Sequence, residues 1–296
     1  MSSSITKVAI AGATGNLGPS VLKQLLEDGF KVTVLTRKGA THTFPPSVTT
    51  AEIDYNSPES LEKALSGQDA VVSTVGFGGL SYQPSLVQAA VKVGVKRFIP
   101  SEFGGDAENE KTASLPPLHA KKAVTDLLKK EAAAGSITYT SISTGPFLDM
   151  AVQYGIAINV KGRKITLWDG GDRPISMTTI AYIAKAVSEV LKHPEETKNR
   201  NVHVHNVNLT LKELLEQAKK VVGPEGWTSE VKSTEENLKH AYAELEKGGN
   251  ATMQFLVTAI FGEGYGSDFK NVDNKLLGIK EFTGEELQDH IKRFAN

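Results

Sequence analysis

Cysteine is absent from the 296 residues. That single absence removes disulfides, thiolate zinc sites and cysteine nucleophiles together. No run of about 18 or more apolar residues occurs, so no membrane-spanning helix is expected. An excess of either charge is missing too: 33 Lys and Arg stand against 34 Asp and Glu, a formal net charge of -1 at pH 7. Nothing therefore marks a nucleic-acid or other polyanion partner. No apolar segment of the signal-peptide kind follows Met1-Ser2-Ser3-Ser4, and internal repeats, low-complexity tracts and linkers are lacking. The expectation is a soluble, cytoplasmic chain, a monomer or homodimer, with no nucleic-acid and no membrane partner.

What is present is enough apolar sequence, 40% of residues, for a sizeable core, and one organising stretch. A short apolar run from Val8 to Ala11 leads into Gly12-Ala13-Thr14-Gly15-Asn16-Leu17-Gly18, and an amphipathic run from Leu17 to Glu27 follows. This reads as strand, glycine turn and helix, whose free first N–H groups and positive dipole end suit a pyrophosphate. Gly12 allows the sharp turn, Gly15 lets backbone approach phosphate, and Gly18 lets helix pack on strand. The second strand, Lys31 to Thr36, ends at Arg37-Lys38. A site for the unphosphorylated dinucleotide usually has an acidic residue there for the ribose 2′-hydroxyl. Two cations in that place fit a 2′-phosphate instead and point to NADP(H) over NAD(H).

Further strands are expected at Val48–Ile53, Ala70–Thr74, Lys96–Pro100 and Ile137–Ser143, alternating with helices opened by Ser57-Pro58, at Pro84–Val93 and at Leu118–Glu131. Between them, Glu108–Pro117 reads as a loop. This alternation predicts an α/β fold, a Rossmann-type doubly wound parallel sheet, over residues 1–150. Residues 151–296 are expected to form a smaller α+β substrate-binding annex packed on it, with some segments able to return to the sheet. In that half a small hairpin is expected at Val160–Trp168, a helix at Thr178–Lys192, and helix starts at the capping boxes Thr210/Glu213, Ser233/Glu236 and Thr283/Glu286. Ligands bind at the carboxyl edge of such a sheet. Candidate cofactor contacts are thus Gly12, Thr14, Gly15, Asn16, Leu17, Gly18, Arg37 and Lys38, with Val75, Gly76 and Phe77, Ser101, Glu102 and Phe103, and Gly145, Pro146 and Phe147 from the later loops.

None of the seven tyrosines has a lysine four residues after it, so the usual tyrosine–lysine pair of short-chain dehydrogenases is missing. The helix after the fifth strand offers a replacement. Its apolar face runs through Leu118, Val124 and Leu128, and Lys121 falls on that face while Lys122 falls on another, four residues before Asp126. An inward ammonium is costly. Lys121 could hold a cofactor hydroxyl, transfer a proton at the substrate, or snorkel past the helix start. His203 and His205 share a face of an expected strand, but no third ligand accompanies them, and no metal is expected.

The order of GATGNLG, Arg37, the string Arg97-Phe98-Ile99-Pro100-Ser101-Glu102-Phe103-Gly104 and Lys121 resembles the NmrA-like, isoflavone reductase-like family of atypical short-chain dehydrogenases. That family includes phenylcoumaran benzylic ether and pinoresinol-lariciresinol reductases. The resemblance runs the length of the chain. It implies NADPH as hydride donor and Lys121 as catalytic acid or base. Two features depart from the plant enzymes: Gly39-Ala40-Thr41-His42 stands where they carry a longer basic stretch, and the Asp106–Pro117 loop differs. The expected function is an NADPH-dependent reductase of a small aromatic, phenylpropanoid-like or other secondary-metabolite substrate. Its pocket is expected to use Phe103, Phe147, Met150, Tyr154, Trp168, Phe255 and Phe261. The alternative is an NmrA-like redox sensor that binds NADP(H) without turnover and acts through a protein partner; the presence of Lys121 favours the enzyme.

Overall fold

A computed structural model describes residues 4–295; Met1 to Ser3, part of the expected leader-free start, lie outside that range. In chain order the strands are β1 (Lys7–Ala11), β2 (Lys31–Arg37), β3 (Thr49–Ile53), β4 (Ala70–Ser73), β5 (Arg97–Ile99), β6 (Thr138–Ser143), β7 (Lys164–Trp168), β8 (Ile175–Met177), β9 (Arg200–His203), β10 (Val207–Leu209) and β11 (Thr228–Lys232). The helices are α1 (Gly18–Glu27), α2 (Pro58–Leu65), α3 (Gln83–Lys92), α4 (Glu110–Ala113), α5 (His119–Ala133), α6 (Leu148–Gln153), α7 (Ile180–Lys192), α8 (Pro194–Thr197), α9 (Leu211–Val222), α10 (Thr234–Glu246), α11 (Thr252–Phe261) and α12 (Gly284–Lys292). Among the described residues no helix is long and apolar enough to cross a membrane.

The chain divides into two compact, interleaved units. The first takes the described residues up to Glu102, then His119–Ile142 and Ile183–Val202; the second takes Phe103–Leu118, Ser143–Tyr182 and the described residues from His203 on. No single cut separates them.

In the first unit seven strands form one sheet in the order β3-β2-β1-β4-β5-β6-β9. The pairs from β3 through to β6 are parallel, with Ala11 against both Leu35 and Ser73. β4 is buried along its whole length and β1 at all but its first residue, as strands covered by helices on both faces must be. The order reverses between β1 and β4, the place where such sheets open a crevice at their carboxyl edge. Two tethers hold the sheet at other points. The Asp69 carboxylate accepts from the Thr6 and Lys7 amides at 3.0 and 2.9 Å and from Lys96 Nζ at 2.8 Å, pinning the amino ends of β1 and β5 beside β4. Arg97, 2% exposed, donates to Thr138 Oγ1 and Thr140 Oγ1, both at 2.8 Å, and to the Pro194 carbonyl at 2.5 Å. Burial draws its guanidinium down to about 10.

The second unit differs from the sequence expectation in one pairing. Asn159 and Lys164 do form an antiparallel bridge about a turn, but β7 is not one arm of a hairpin. It pairs in parallel with β11, Lys164 against Thr228 through Trp168 against Lys232. β11 is exposed throughout, so no alternation of buried residues announces it. The loop expected at Glu108–Pro117 contains α4, capped by Asn109. The capping boxes close reciprocally at Thr210/Glu213 and Thr283/Glu286, and Ser233 accepts from the Glu236 amide.

Candidate active site

At the β1/β4 reversal the first unit carries a cleft of about 390 Å³, lined by the glycine turn, the end of β2 and the residues after β4. The turn closes by Gly15 N donating to Gly12 O at 3.0 Å. Gly12 has φ 81°, and a Cβ on it would stand 2.7 Å from the Thr74 carbonyl carbon. A Cβ on Gly18 would stand 2.1 Å from Gly12 O, so helix and turn meet only because both residues are glycine. Gly15 is different: the nearest atom to an added Cβ is 3.5 Å away. The protein itself leaves room there, and the room belongs to the cleft. The first turn of α1 carries no acidic residue, and Leu17 gives no side-chain cap. Pro19 carries no N–H and the Ser20 and Val21 amides donate to Leu17 O at 3.1 and 3.2 Å, so what this helix start offers an anion is chiefly the positive end of its dipole.

The lining includes Arg37 and His42 and no Asp or Glu. Arg37 thus reaches the cleft, whereas Lys38, expected beside it, is exposed and absent from the lining. Phe44, Tyr55 and Tyr82 also line it, and the two tyrosine rings stack with centroids 4.8 Å apart. Burial holds the Tyr55 phenol above its ordinary value, Arg37 offsetting only part of the rise. His42 and these aromatics are not expected from the sequence: His42, Phe44 and Tyr55 lie in irregular segments and Tyr82 ends a 3₁₀ turn, none with a local signature of its place beside the cleft. Among the loops after the strands, Thr14, Val75 and Gly76 line the cleft with the glycines. Asn16 is exposed, Leu17 is buried, and Phe77 is 46% exposed at the start of a 3₁₀ turn through Tyr82.

The loop after β5 holds the second constellation. Ser101 N donates to Gln83 Oε1 at 2.9 Å and Ser101 Oγ to the Val75 carbonyl at 2.7 Å. Gln83, 1% exposed at the start of α3, was not anticipated. Lys121 lies on α5, its side chain 17% exposed, and its Nζ donates to the Glu102 main-chain carbonyl. The Glu102 carboxylate, 8% exposed, stands with Oε2 3.9 Å from that Nζ. Burial lowers the Lys121 amine and raises the Glu102 carboxyl, and their mutual attraction opposes both shifts. Lys122, as expected, turns outward to Asp126 at 2.6 Å.

The remaining expected contacts belong to the second unit. Gly145, φ 62°, lies so close to the Ser176 carbonyl that a Cβ would stand 1.7 Å from its oxygen; Pro146 follows it, and Phe147 bridges to Thr178. Met150 and Trp168 are half-buried, Tyr154 is 64% exposed and Phe103 is buried. Phe255 and Phe261, expected in the pocket, are 1% and 4% exposed. Phe255 packs edge-on against Tyr242 and Phe261 stacks on Trp168, so both are core side chains. His205 bonds Ser176 Oγ through Nδ1 at 3.0 Å, and His203 Nε2 faces Asp106 at 3.3 Å.

A model of the NmrA-like family matches residues 4–267. The chain belongs to the NmrA-like family. It is 33% identical over 283 residues to Oxidoreductase aprR of Aspergillus flavus, covering 92% of this chain and 94% of that one. Phenylcoumaran benzylic ether reductase TP7 of Nicotiana tabacum is 29% identical over 74% of this chain and 75% of its own. The structure of AtPrR2 with NADP+ and (+)pinoresinol superposes with a TM-score of 0.80 over 99% of both chains at 22% identity, which establishes the shared fold.

Proposed function

We propose that this protein is an NADPH-dependent reductase of a small aromatic or phenylpropanoid-like molecule, with Lys121 as its proton-transferring group. The observation that carries the reading is the cleft at the β1/β4 reversal: glycine-walled, free of carboxylates, with an uncapped helix start and Arg37 on its rim. Those residues fit a dinucleotide phosphate. The glycine turn and the α1 dipole would hold the pyrophosphate, Arg37 with His42 the 2′-phosphate, and the Tyr55–Tyr82 stack gives the cleft an aromatic wall. When bound, NADPH supplies the hydride. The relatives named as oxidoreductases and reductases support the same chemistry.

The chain's own contribution is positional and protonic. Gln83 and Val75 hold the loop after β5 through Ser101, and that loop presents a carbonyl to the Lys121 amine. A lysine desolvated in this way gives or takes a proton nearer neutral pH than an exposed one. The apolar contacts for the substrate are Phe103, Phe147, Met150, Tyr154 and Trp168, while Phe255 and Phe261 are engaged in core packing.

Nucleotide titration tests the reading. NADPH is expected to bind at least about tenfold tighter than NADH, since a charge-assisted bond is worth about 1.5–3 kcal/mol. Arg37→Ala should erase most of that preference while NADH binding changes little, and Lys38→Ala should leave it standing. Equal affinity of the wild-type protein for the two nucleotides refutes the assignment. An NADPH-oxidation screen against phenolic ethers, enones and aldehydes then identifies the substrate; tight binding with no turnover across such a screen would move the reading to a sensor.

A further inference from the structure

We propose that Glu102 is the positioning residue of Lys121, its main-chain carbonyl fixing the amine and its carboxyl holding one proton in common with it. The inference rests on the reading of Lys121 above for its catalytic consequence, and on geometry alone for the pairing. From its place after β5, Glu102 is expected among the cofactor contacts. In the structure its carboxyl instead turns into the protein, where Oε1 accepts from Thr125 Oγ1 at 3.1 Å. Thr125 is one helical turn beyond Lys121 on α5, so the hydroxyl and the amine reach the carboxyl from the same helix face.

The backbone around Glu102 is bent to this purpose. Glu102 N donates to the Pro100 carbonyl at 2.8 Å, a turn closed over three residues, and Phe103 follows at φ 31°. An aromatic residue in the left-handed region is strained, and such strain gathers at functional sites. The carbonyl that this turn directs is the one that receives the Lys121 amine.

A carboxyl and an amine this buried cannot be treated as independent titrations. Burial disfavours the charge on each, whereas proximity favours the charged pair. The 3.9 Å approach of the two groups and the Thr125 bond to the carboxyl favour ammonium with carboxylate, one proton for the two groups. The charged neighbours on α5 are engaged elsewhere: Lys122 and Asp126 pair with each other at the surface, and His119 is exposed at the helix start. Thr125 is the remaining polar side chain bonded to the carboxyl. Burial and Glu102 therefore set the state of the amine between them, burial against its charge and Glu102 for it.

The test reads the amine directly, in the protein without nucleotide, by competitive labelling with acetic anhydride across pH and mass spectrometry of the Lys121 peptide. In Glu102→Gln the Lys121 amine loses the anion that Glu102 presents and remains desolvated, so its reactivity midpoint should fall by at least about one pH unit, a tenfold change in proton affinity. The Lys122 midpoint should not move. Thr125→Val keeps the carboxyl but removes a bond that favours its charged form, so it should lower the Lys121 midpoint by less. If Glu102→Gln fails to fold, that smaller shift decides the matter. A Lys121 midpoint unchanged or raised in the folded variants overturns the proposal. Absence of NADPH binding would instead strike the reductase reading and leave this result untouched.

Discussion

Replacing Lys121 with alanine removes an amine bonded to the Glu102 carbonyl while leaving the glycine cleft and Arg37 in place. Groups that move a proton in the transition state contribute about 10²–10⁴-fold. On a confirmed substrate, turnover of Lys121→Ala should fall by that factor while the NADPH dissociation constant changes much less. Lys122→Ala is the control, because its pair with Asp126 is about half exposed and surface pairs contribute little. Matching losses of rate and affinity would show that Lys121 only anchors the cofactor. The inward placement of Lys121 was legible from sequence, since helical spacing alone separates it from Lys122. What it touches was not. Glu102 arrives from another element, and its turn depends on a strained Phe103 that no pattern of residues reveals.

At the scale of elements, the β1–turn–α1 unit makes its two later glycines separable. Gly18→Ala drives a Cβ to 2.1 Å from Gly12 O; overpacking of backbone costs about 1–3 kcal/mol or more. A lowered melting temperature and lost nucleotide binding are expected together. Gly15→Ala meets nothing closer than 3.5 Å, so the fold should keep its melting temperature while NADPH affinity drops at least about tenfold as the methyl enters the phosphate space. Thermal melts and nucleotide titration on the two variants check both claims. The glycine spacing and the Ser57 cap of α2 were readable because each is a local demand of backbone geometry or of orphan amides. The β7–β11 pairing was not readable: its strands are far apart in sequence, and the β11 residues TSEVK are exposed on every side. β9 likewise joins the sheet from far downstream, with no turn to announce its partner.

For the molecule as a whole, buried histidines and tethered aspartates govern the response to acid. Burial holds His205 and His290 below their ordinary value of 6.5, against the pull of Glu281 and Asp149 respectively. The unfolded chain therefore takes up protons that the folded one refuses, and their share of stability, present above 6.5, is lost as pH falls through the lower folded values. Burial alone would raise Asp69, but Lys96 and the amides of Lys7 and Thr6 outweigh it and hold the carboxyl far below the usual range. Its contribution is complete above about pH 4 and is lost progressively as pH falls below it. The melting temperature should thus decline in two stages, a shallow one below about pH 6.5 and a steeper one below about pH 4. The double variant His205→Asn, His290→Gln should flatten the first stage only. A single steep transition near pH 4 in both proteins would refute the histidine assignment.

The interleaving of the two units has a consequence for how the chain is made. During synthesis β1 to β6 leave the ribosome first, yet the strand that covers β6, Arg200–His203, emerges only after the intervening stretch of the other unit. Until then β6 ends in open amide and carbonyl groups, an invitation to pair with another nascent chain. A ribosome stalled at Lys192 should hold a more protease-sensitive and more aggregation-prone sheet than one stalled some tens of residues beyond His203, where the missing strand has cleared the exit tunnel.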